Sequence, residues 1–237
     1  MKIRTIKTYL IILSIVFAIC IFLSTKTFAQ TGNISPDGHF LQFSICGGQF
    51  NDDYASDNTK KAKDIITSEG YNYEEDTKYN GDSYFNISIG YRYFKNQWGG
   101  GLLTGLWGIS GSRVQYQKDN NPKTRDTYNP GIFWFPLLAT PYYRFYLTEN
   151  LNFKVGAGPD IHFFWAGDWL YLNDSSEYVV TRDVGYGVHG TAELSYLFEM
   201  ANSTYSFDLG YRHHMIWVSH VKMPGFFVYL GISVGLR

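Results

Sequence analysis

The sequence is poor in charge and in cysteine. Charged residues make up 17% of the 237 positions, against roughly 25% in an average soluble domain. The two cysteines, Cys20 and Cys46, are too few for a disulfide framework. The net charge is −1 and no basic run occurs, which argues against a nucleic-acid partner. Intrinsic disorder is excluded, because 45% of the residues are hydrophobic and the net charge is small.

Aromatic residues and glycine are what the sequence has in excess. It holds 20 Tyr, 18 Phe, 6 Trp and 24 Gly. From residue 39 onward, apolar and small polar residues alternate with the period of two that is typical of β-strands. The alternation is cleanest in the second and the last four segments and weaker in the others. It predicts eight strands, at 39–49, 84–94, 100–116, 131–147, 151–165, 184–198, 205–217 and 226–236.

The first 29 residues are predicted to be a cleaved signal peptide. Basic residues precede an apolar run from Leu10 to Leu23, and the small residues Thr27 and Ala29 lie at positions −3 and −1 before Gln30. This order of segments is that of a secretory signal. The alternative is an uncleaved anchor, but the run is shorter than the roughly 20 residues of a spanning helix.

Cleavage after Ala29 would leave 30–38 as a short periplasmic segment and 39–237 as the folded domain. It would remove four of the 20 basic residues and none of the 21 acidic ones, so the net charge would fall from −1 to −5. Segment 51–82 carries this acidic excess and contains a helical period at 57–68. Its carboxylates could bind divalent cations, but they lack the spacing of an EF-hand. We expect a solvated loop.

The connections between the predicted strands alternate between long and short. This alternation is typical of outer-membrane barrels, which have short periplasmic turns and long extracellular loops. With eight strands, both ends of the barrel domain point to the periplasm. The long connections are 50–82, 117–130 and 166–182, and the short ones are 95–98, 148–150, 200–203 and 219–225.

Two features favour a membrane barrel over a soluble barrel with an apolar interior. The polar face of the strands consists mostly of Gly, Ser, Asn and Thr rather than the Lys and Glu of a solvated surface. Aromatic residues such as Tyr91, Trp98 and Trp217 collect at strand ends, as they do at bilayer interfaces. The predicted fold is therefore an all-β, eight-stranded antiparallel up-and-down transmembrane β-barrel in the outer membrane of a Gram-negative bacterium.

The centre of the sequence resembles a known group of proteins. Phe135-Pro136-Leu137-Leu138, then Pro141 to Leu147, then Leu151 to Pro159 look like the central hairpin of the small outer-membrane β-barrel proteins of the Bacteroidetes, which include PorT-like proteins. The resemblance implies the location more firmly than any activity. The partners to expect are outer-membrane lipids, lipopolysaccharide and the barrel-insertion machinery.

The polar face of the predicted strands carries charges that must pair inside a narrow barrel. A hairpin centred on residues 201 and 202 sets Arg212 near Thr191 and diagonal to Glu193, and Asp208 near Ser195. We predict that Glu193 holds Arg212, with Asp208 as the second candidate. Alternatives are a gated ion or proton path and catalysis. The predicted structural charge network is Arg92, Arg144, Asp160, Glu193, Asp208 and Arg212, and the same face carries Lys154, His162, His189 and His214.

No catalytic, cofactor or metal motif is recognised in the sequence. Ser219 and His220 lie at one rim, but neighbours on a strand point to opposite faces and cannot easily share a proton. The predicted function is therefore a non-enzymatic structural or surface-interaction role. A small-solute pore or carrier is the first alternative. A lipid-modifying enzyme, such as a lipid A acyl-chain hydrolase or transferase, is the second.

Overall fold

The structure is a computed structural model that describes residues 37–50, 53–75, 86–110, 114–118, 126–128, 131–172, 175–200, 203–218 and 221–236. These residues all fall within one compact unit, Ser35–Arg237. The predicted signal peptide, 1–29, and most of segment 30–38 lie outside the described residues. No helix in the described part of the chain is both long enough and apolar enough to cross a membrane.

Strands dominate the described chain. Their lengths vary, and the three shortest are β2, β5 and β6. The elements in chain order are β1 (Gly38–Phe50), α1 (Asp53–Ser68), β2 (Tyr71–Glu75), β3 (Asn86–Lys95), β4 (Trp98–Ser110), β5 (Val114–Lys118), β6 (Asp126–Tyr128), β7 (Gly131–Tyr146), β8 (Leu151–Leu172), β9 (Ser175–Met200), β10 (Ser203–Val218) and β11 (Val221–Leu236).

Eight of these strands close into a barrel, in the order β1-β11-β10-β9-β8-β7-β4-β3. Every neighbouring pair is antiparallel, including the closing pair of β1 with β11. Each of the eight predicted strands overlaps one barrel strand. The predicted eight-stranded antiparallel barrel is therefore confirmed.

The barrel has the polarity of a transmembrane barrel, because its exposed outer face is apolar and its buried polar side chains lie inside. Gln42 and Ser195 in the interior are 0% exposed, whereas Leu102 and Tyr186 on the outer face are 64% and 62% exposed. Burial alternates residue by residue along β3, β7 and β10. Because an aqueous barrel would bury its apolar face, this chain is built to meet lipid with its outer surface.

The structure corrects the predicted bounds of one strand and of one loop. The strand predicted at 100–116 is two strands, because β4 ends at Ser110 and β5 joins β2 and β6 in a separate three-stranded sheet. The loop predicted at 166–182 is largely the paired extension of β8 and β9, which reaches Leu172↔Ser175. Strand-favouring Tyr171, Val179 and Val180 account for this pairing.

Segment 50–82, predicted as a loop, contains helix α1 and strand β2. The helical period at 57–68 is confirmed within α1. Ala62 and Ile66 on the helix pack with Tyr71 of β2 and Tyr116 of β5, and all four side chains are buried. The helix also contacts β8, β9 and β11. One end of the barrel thus carries folded structure with a core of its own, which we call the cap (α1, β2, β5 and β6).

Candidate functional site

The barrel interior is filled in layers. Next to the cap lies a set of large rings that we call the aromatic plug. Its members are 0–4% exposed. Neighbouring rings pack with centroids 4.5–6.0 Å apart, in tilted or edge-to-face arrangements. The aromatic plug consists of Phe50, Trp107, Trp134, Phe164 and Phe227.

Glu193 is the centre of a charged layer in the half of the interior farther from the cap. Arg92, from the opposite wall, donates two hydrogen bonds to its carboxylate, at 2.8 Å and 2.6 Å. Lys154 Nζ and the Tyr229 hydroxyl donate to the same carboxylate at 2.8 Å and 2.7 Å. The two-pronged Arg92–Glu193 contact is the strongest geometry for such a pair.

Asp208 is the second carboxylate of this layer. It accepts hydrogen bonds from the hydroxyls of Ser195, Ser206 and Ser233 at 2.6 Å, 3.0 Å and 2.6 Å. The cations Arg92 and Lys154 each lie 3.6 Å from it. Two carboxylates therefore face two cations, and we call Arg92, Lys154, Glu193 and Asp208 the charge layer. Its charges balance and its groups are hydrogen-bonded, which limits the desolvation cost.

Arg144 lies apart from the charge layer, at the end of the barrel with the short turns. Its guanidinium pairs with Asp37 at 2.7 Å. Its Nε donates to the carbonyl of Asn96 at 3.1 Å, and its guanidinium lies 4.8 Å from the ring centre of Phe94. Arg144 therefore ties the first described residue to the β3–β4 turn.

Arg212 faces the interior as predicted, but its predicted pairing with Glu193 is wrong. Its register opposite Thr191 matches the prediction. Among the described residues, however, the ion pairs of Glu193 go to Arg92 and Lys154. Arg212 instead lies over the ring of Tyr229, 4.9 Å from its centre.

The Tyr229 ring lies close to Gly210 on β10. A Cβ at Gly210 would lie 2.0 Å from this ring, so any other residue there would require the ring to move. The ring covers the wall next to Arg212, and its hydroxyl reaches Glu193 in place of the guanidinium. Strand register predicts neighbours along the wall, but it does not predict contacts across the interior.

Asp160 belongs to a second cluster, between the charge layer and the aromatic plug. Its Oδ2 lies 2.9 Å from Nδ1 of His214, 3.3 Å from Nε2 of His162 and 3.5 Å from Nδ1 of His189. All four side chains are 0–3% exposed. We call these four residues the histidine cluster.

Strand pairing assembles the histidine cluster. His189 is the register partner of His214, and Asp160 is the partner of Gly187. A Cβ at Gly187 would lie 2.2 Å from the Asp160 carboxylate, so glycine is what gives the carboxylate its space. Alternation places each of these residues on the inner face, but it does not indicate the contact between Asp160 and His214, which are 54 positions apart.

The two rim residues of the enzyme alternative, Ser219 and His220, lie outside the described residues. On the strand before them, His213 is exposed on the outer face of β10, on the opposite side of the wall from His214.

Comparison with known proteins adds distant structural likeness only. No protein-family model matches the chain. No curated protein matches it. The chain is similar to Neisserial surface protein A, at 16% identity and a TM-score of 0.46, covering 84% of this chain and 97% of that one.

Two further solved structures are similar at the same level. One is the outer membrane protein OprG from Pseudomonas aeruginosa, at 10% identity and a TM-score of 0.46, covering 85% of this chain and 97% of that one. The other is Ail, the attachment invasion locus protein of Yersinia pestis, at 13% identity and a TM-score of 0.40, covering 83% and 99%. The barrel architecture described above follows from the strand order of this chain itself.

Proposed function

We propose that the chain is a closed, non-enzymatic outer-membrane barrel that presents the cap and the β8–β9 extension at the cell surface for interaction. The observation that carries this proposal is the filled interior. The aromatic plug and the charge layer occupy the barrel, and side chains of both are 0–4% exposed. An eight-stranded barrel has room for little else.

The outer-membrane location is supported by the outer face and by the predicted signal peptide. Aromatic residues mark both ends of the apolar face: Tyr91, Tyr93 and Trp98 at one end, and Phe163 and Trp217 at the other, each 41–66% exposed. Such rings belong at bilayer interfaces. Outer-membrane lipids, lipopolysaccharide and the insertion machinery are the partners we propose on this basis. Membership of the Bacteroidetes group stays a prediction.

The filled interior predicts that the barrel does not conduct. Purified chain inserted into planar bilayers should give no stable single-channel steps, because the buried rings of the aromatic plug fill the described interior next to the cap. A porin in the same bilayers is the positive control. Reproducible conductance steps that disappear with specific antibody would overturn the closed-barrel proposal and support the pore or carrier.

The proposed orientation predicts which sites can be labelled from outside. Lys60 on the cap and Glu149 in the β7–β8 turn are both exposed and lie at opposite ends of the barrel. Lys60→Cys should react with a membrane-impermeant maleimide on intact cells. Glu149→Cys should react only after the outer membrane is disrupted. Cys46 is buried and should not react with the maleimide before or after the outer membrane is disrupted. The reverse pattern would place the cap in the periplasm.

The enzyme alternative has its own measurement. The interior acids and bases of the described chain are 0–4% exposed, so they offer no surface for a lipid substrate. Lipid A from cells that express the chain should therefore have the same acyl composition, by mass spectrometry, as lipid A from cells that lack it. A change of one acyl chain would favour the lipid-modifying enzyme.

A further inference from the structure

We propose that Asp160, His162, His189 and His214 form a binding site for one divalent transition-metal ion, for which Zn²⁺ is the best match. The ligand atoms of Asp160, His162 and His214 all lie within 4.8 Å of one another. His189 brings a fourth donor, since its Nδ1 lies 3.5 Å from Asp160 Oδ2. Imidazole nitrogen and carboxylate oxygen are both ligands that Zn²⁺ takes in proteins.

The distances from Asp160 to the three histidines are those of neighbouring ligands on one ion. Bonds of about 2.0–2.1 Å to a tetrahedral Zn²⁺ put neighbouring ligand atoms about 3.3 Å apart. The three distances to Asp160 Oδ2, 2.9 Å, 3.3 Å and 3.5 Å, lie around this value. Asp160, His162 and His214 already offer a compact set of three donors, and the imidazole of His189 would have to move toward the other two histidines to become the fourth ligand.

Donors in the cluster have unused capacity although they are buried. His162 Nε2, His189 Nδ1 and Asp160 Oδ1 make no hydrogen bond within the described structure. The side chains of these residues are 0% exposed. Buried polar atoms are rarely left in this state, since each one costs free energy. A metal ion would use such atoms together.

One ligand is already held in the orientation that coordination needs. Thr140 Oγ1 lies 2.8 Å from Nε2 of His189, which is the ring nitrogen that faces away from Asp160. When the hydroxyl oxygen accepts a hydrogen bond from Nε2–H, the proton of the ring is on Nε2 and the lone pair on Nδ1 is directed into the cluster. Fixing a ligating histidine through its second nitrogen is the usual arrangement around protein-bound zinc.

The surroundings select the class of ion. The cluster contains a single carboxylate, and Arg212 adds a positive charge two residues before His214 on the same face of β10. Ca²⁺ and Mg²⁺ depend on several oxygen ligands and are disfavoured here. Imidazole-rich sets suit Zn²⁺, Ni²⁺ and Cu²⁺. Because four protein ligands close the shell and Trp107 packs 5.3 Å from His214, the ion would be structural.

The test uses the full chain without an affinity tag, folded into detergent micelles with Zn²⁺ and passed over a chelating resin. We expect one Zn²⁺ per chain by elemental analysis. Asp160→Asn and His162→Ala should each lose it. His213→Ala is the matched control, because His213 is next to His214 in the sequence but lies on the outer face. This variant should keep the ion. Zinc retained equally by all variants would mean surface binding and would overturn the proposal.

Two further measurements keep the test informative if a variant does not fold. Wild-type chain loaded with Co²⁺ should show the intense visible absorption of tetrahedral cobalt, and a folded wild type without it contradicts the site. Thr140→Val, which keeps the side-chain shape, should still bind one ion but about 10- to 100-fold more weakly. Unchanged zinc affinity in Thr140→Val would contradict the role given to Thr140. A folded wild-type chain that takes up no metal would overturn the proposal as a whole.

Discussion

Replacing Glu193 by leucine is expected to lower the free energy of unfolding by about 3–5 kcal/mol, the usual loss when one partner of a buried ion pair is removed. Glu193 is 1% exposed and holds both Arg92 and Lys154. Without it, two buried cations face Asp208 alone, at 3.6 Å each. The loss comes from these uncompensated charges more than from the missing hydrogen bonds.

Urea unfolding in liposomes would measure the effect. Glu149→Leu, in an exposed turn, is the control and should change stability by about 0.5 kcal/mol or less. Combining Glu193→Leu with Arg92→Met should recover part of the loss, because the pair is then removed as a unit. Combining it with Arg212→Leu should give nearly additive losses. If stability recovers strongly with Arg212→Leu but not with Arg92→Met, the result would support the Arg212–Glu193 pair predicted from the sequence.

Strand number, pairing and facing could be predicted because each depends on a local pattern. Alternation in 205–217 puts Arg212 and His214 on one face, and hairpin geometry sets Arg212 opposite Thr191, both as the structure has them. These features follow from the period of two and the length of the turn. In a membrane barrel the register tolerates little change, because a shift of one residue would turn the interior charges toward lipid.

Contacts across the interior could not be predicted in the same way. Arg92 on β3 meets Glu193 on β9 although these strands are not neighbours in the wall. Tyr229 also packs close to Gly210 and donates its hydroxyl to Glu193, and no alternation pattern encodes these contacts. The histidine cluster is different, because its members lie along the wall on the neighbouring strands β8, β9 and β10. The hairpin register that sets Arg212 opposite Thr191 also sets His214 opposite His189, so this part of the cluster was open to prediction. The sheet of the cap was not predicted, because its short strands pair outside the barrel. Alternation between a lipid-facing and an interior side is not expected there.

Trp107 and Trp98 form a matched pair for testing the aromatic plug. Both lie on β4, on opposite faces: Trp107 is 0% exposed in the interior and Trp98 is 66% exposed on the outside. The Trp107 ring packs 4.5 Å from Phe227, and its Nε1 donates to Ser88 Oγ at 2.8 Å. Trp98 contacts Tyr143 at the rim, with ring centres 4.9 Å apart.

Trp107→Ala should lower the free energy of unfolding by about 3–5 kcal/mol, since the cavity it leaves is enclosed by a closed wall that cannot collapse. Trp98→Ala should cost clearly less, because lipid fills the space of an outward ring. Urea unfolding in liposomes, followed by the mobility shift of the folded barrel in gels, would compare them. Both variants should stay non-conducting, since the remaining plug rings still fill the interior. Equal losses of unfolding free energy for the two tryptophan variants would mean that the plug is loosely packed. Conductance in Trp107→Ala alone would identify the Trp107 ring as the barrier that keeps the barrel closed.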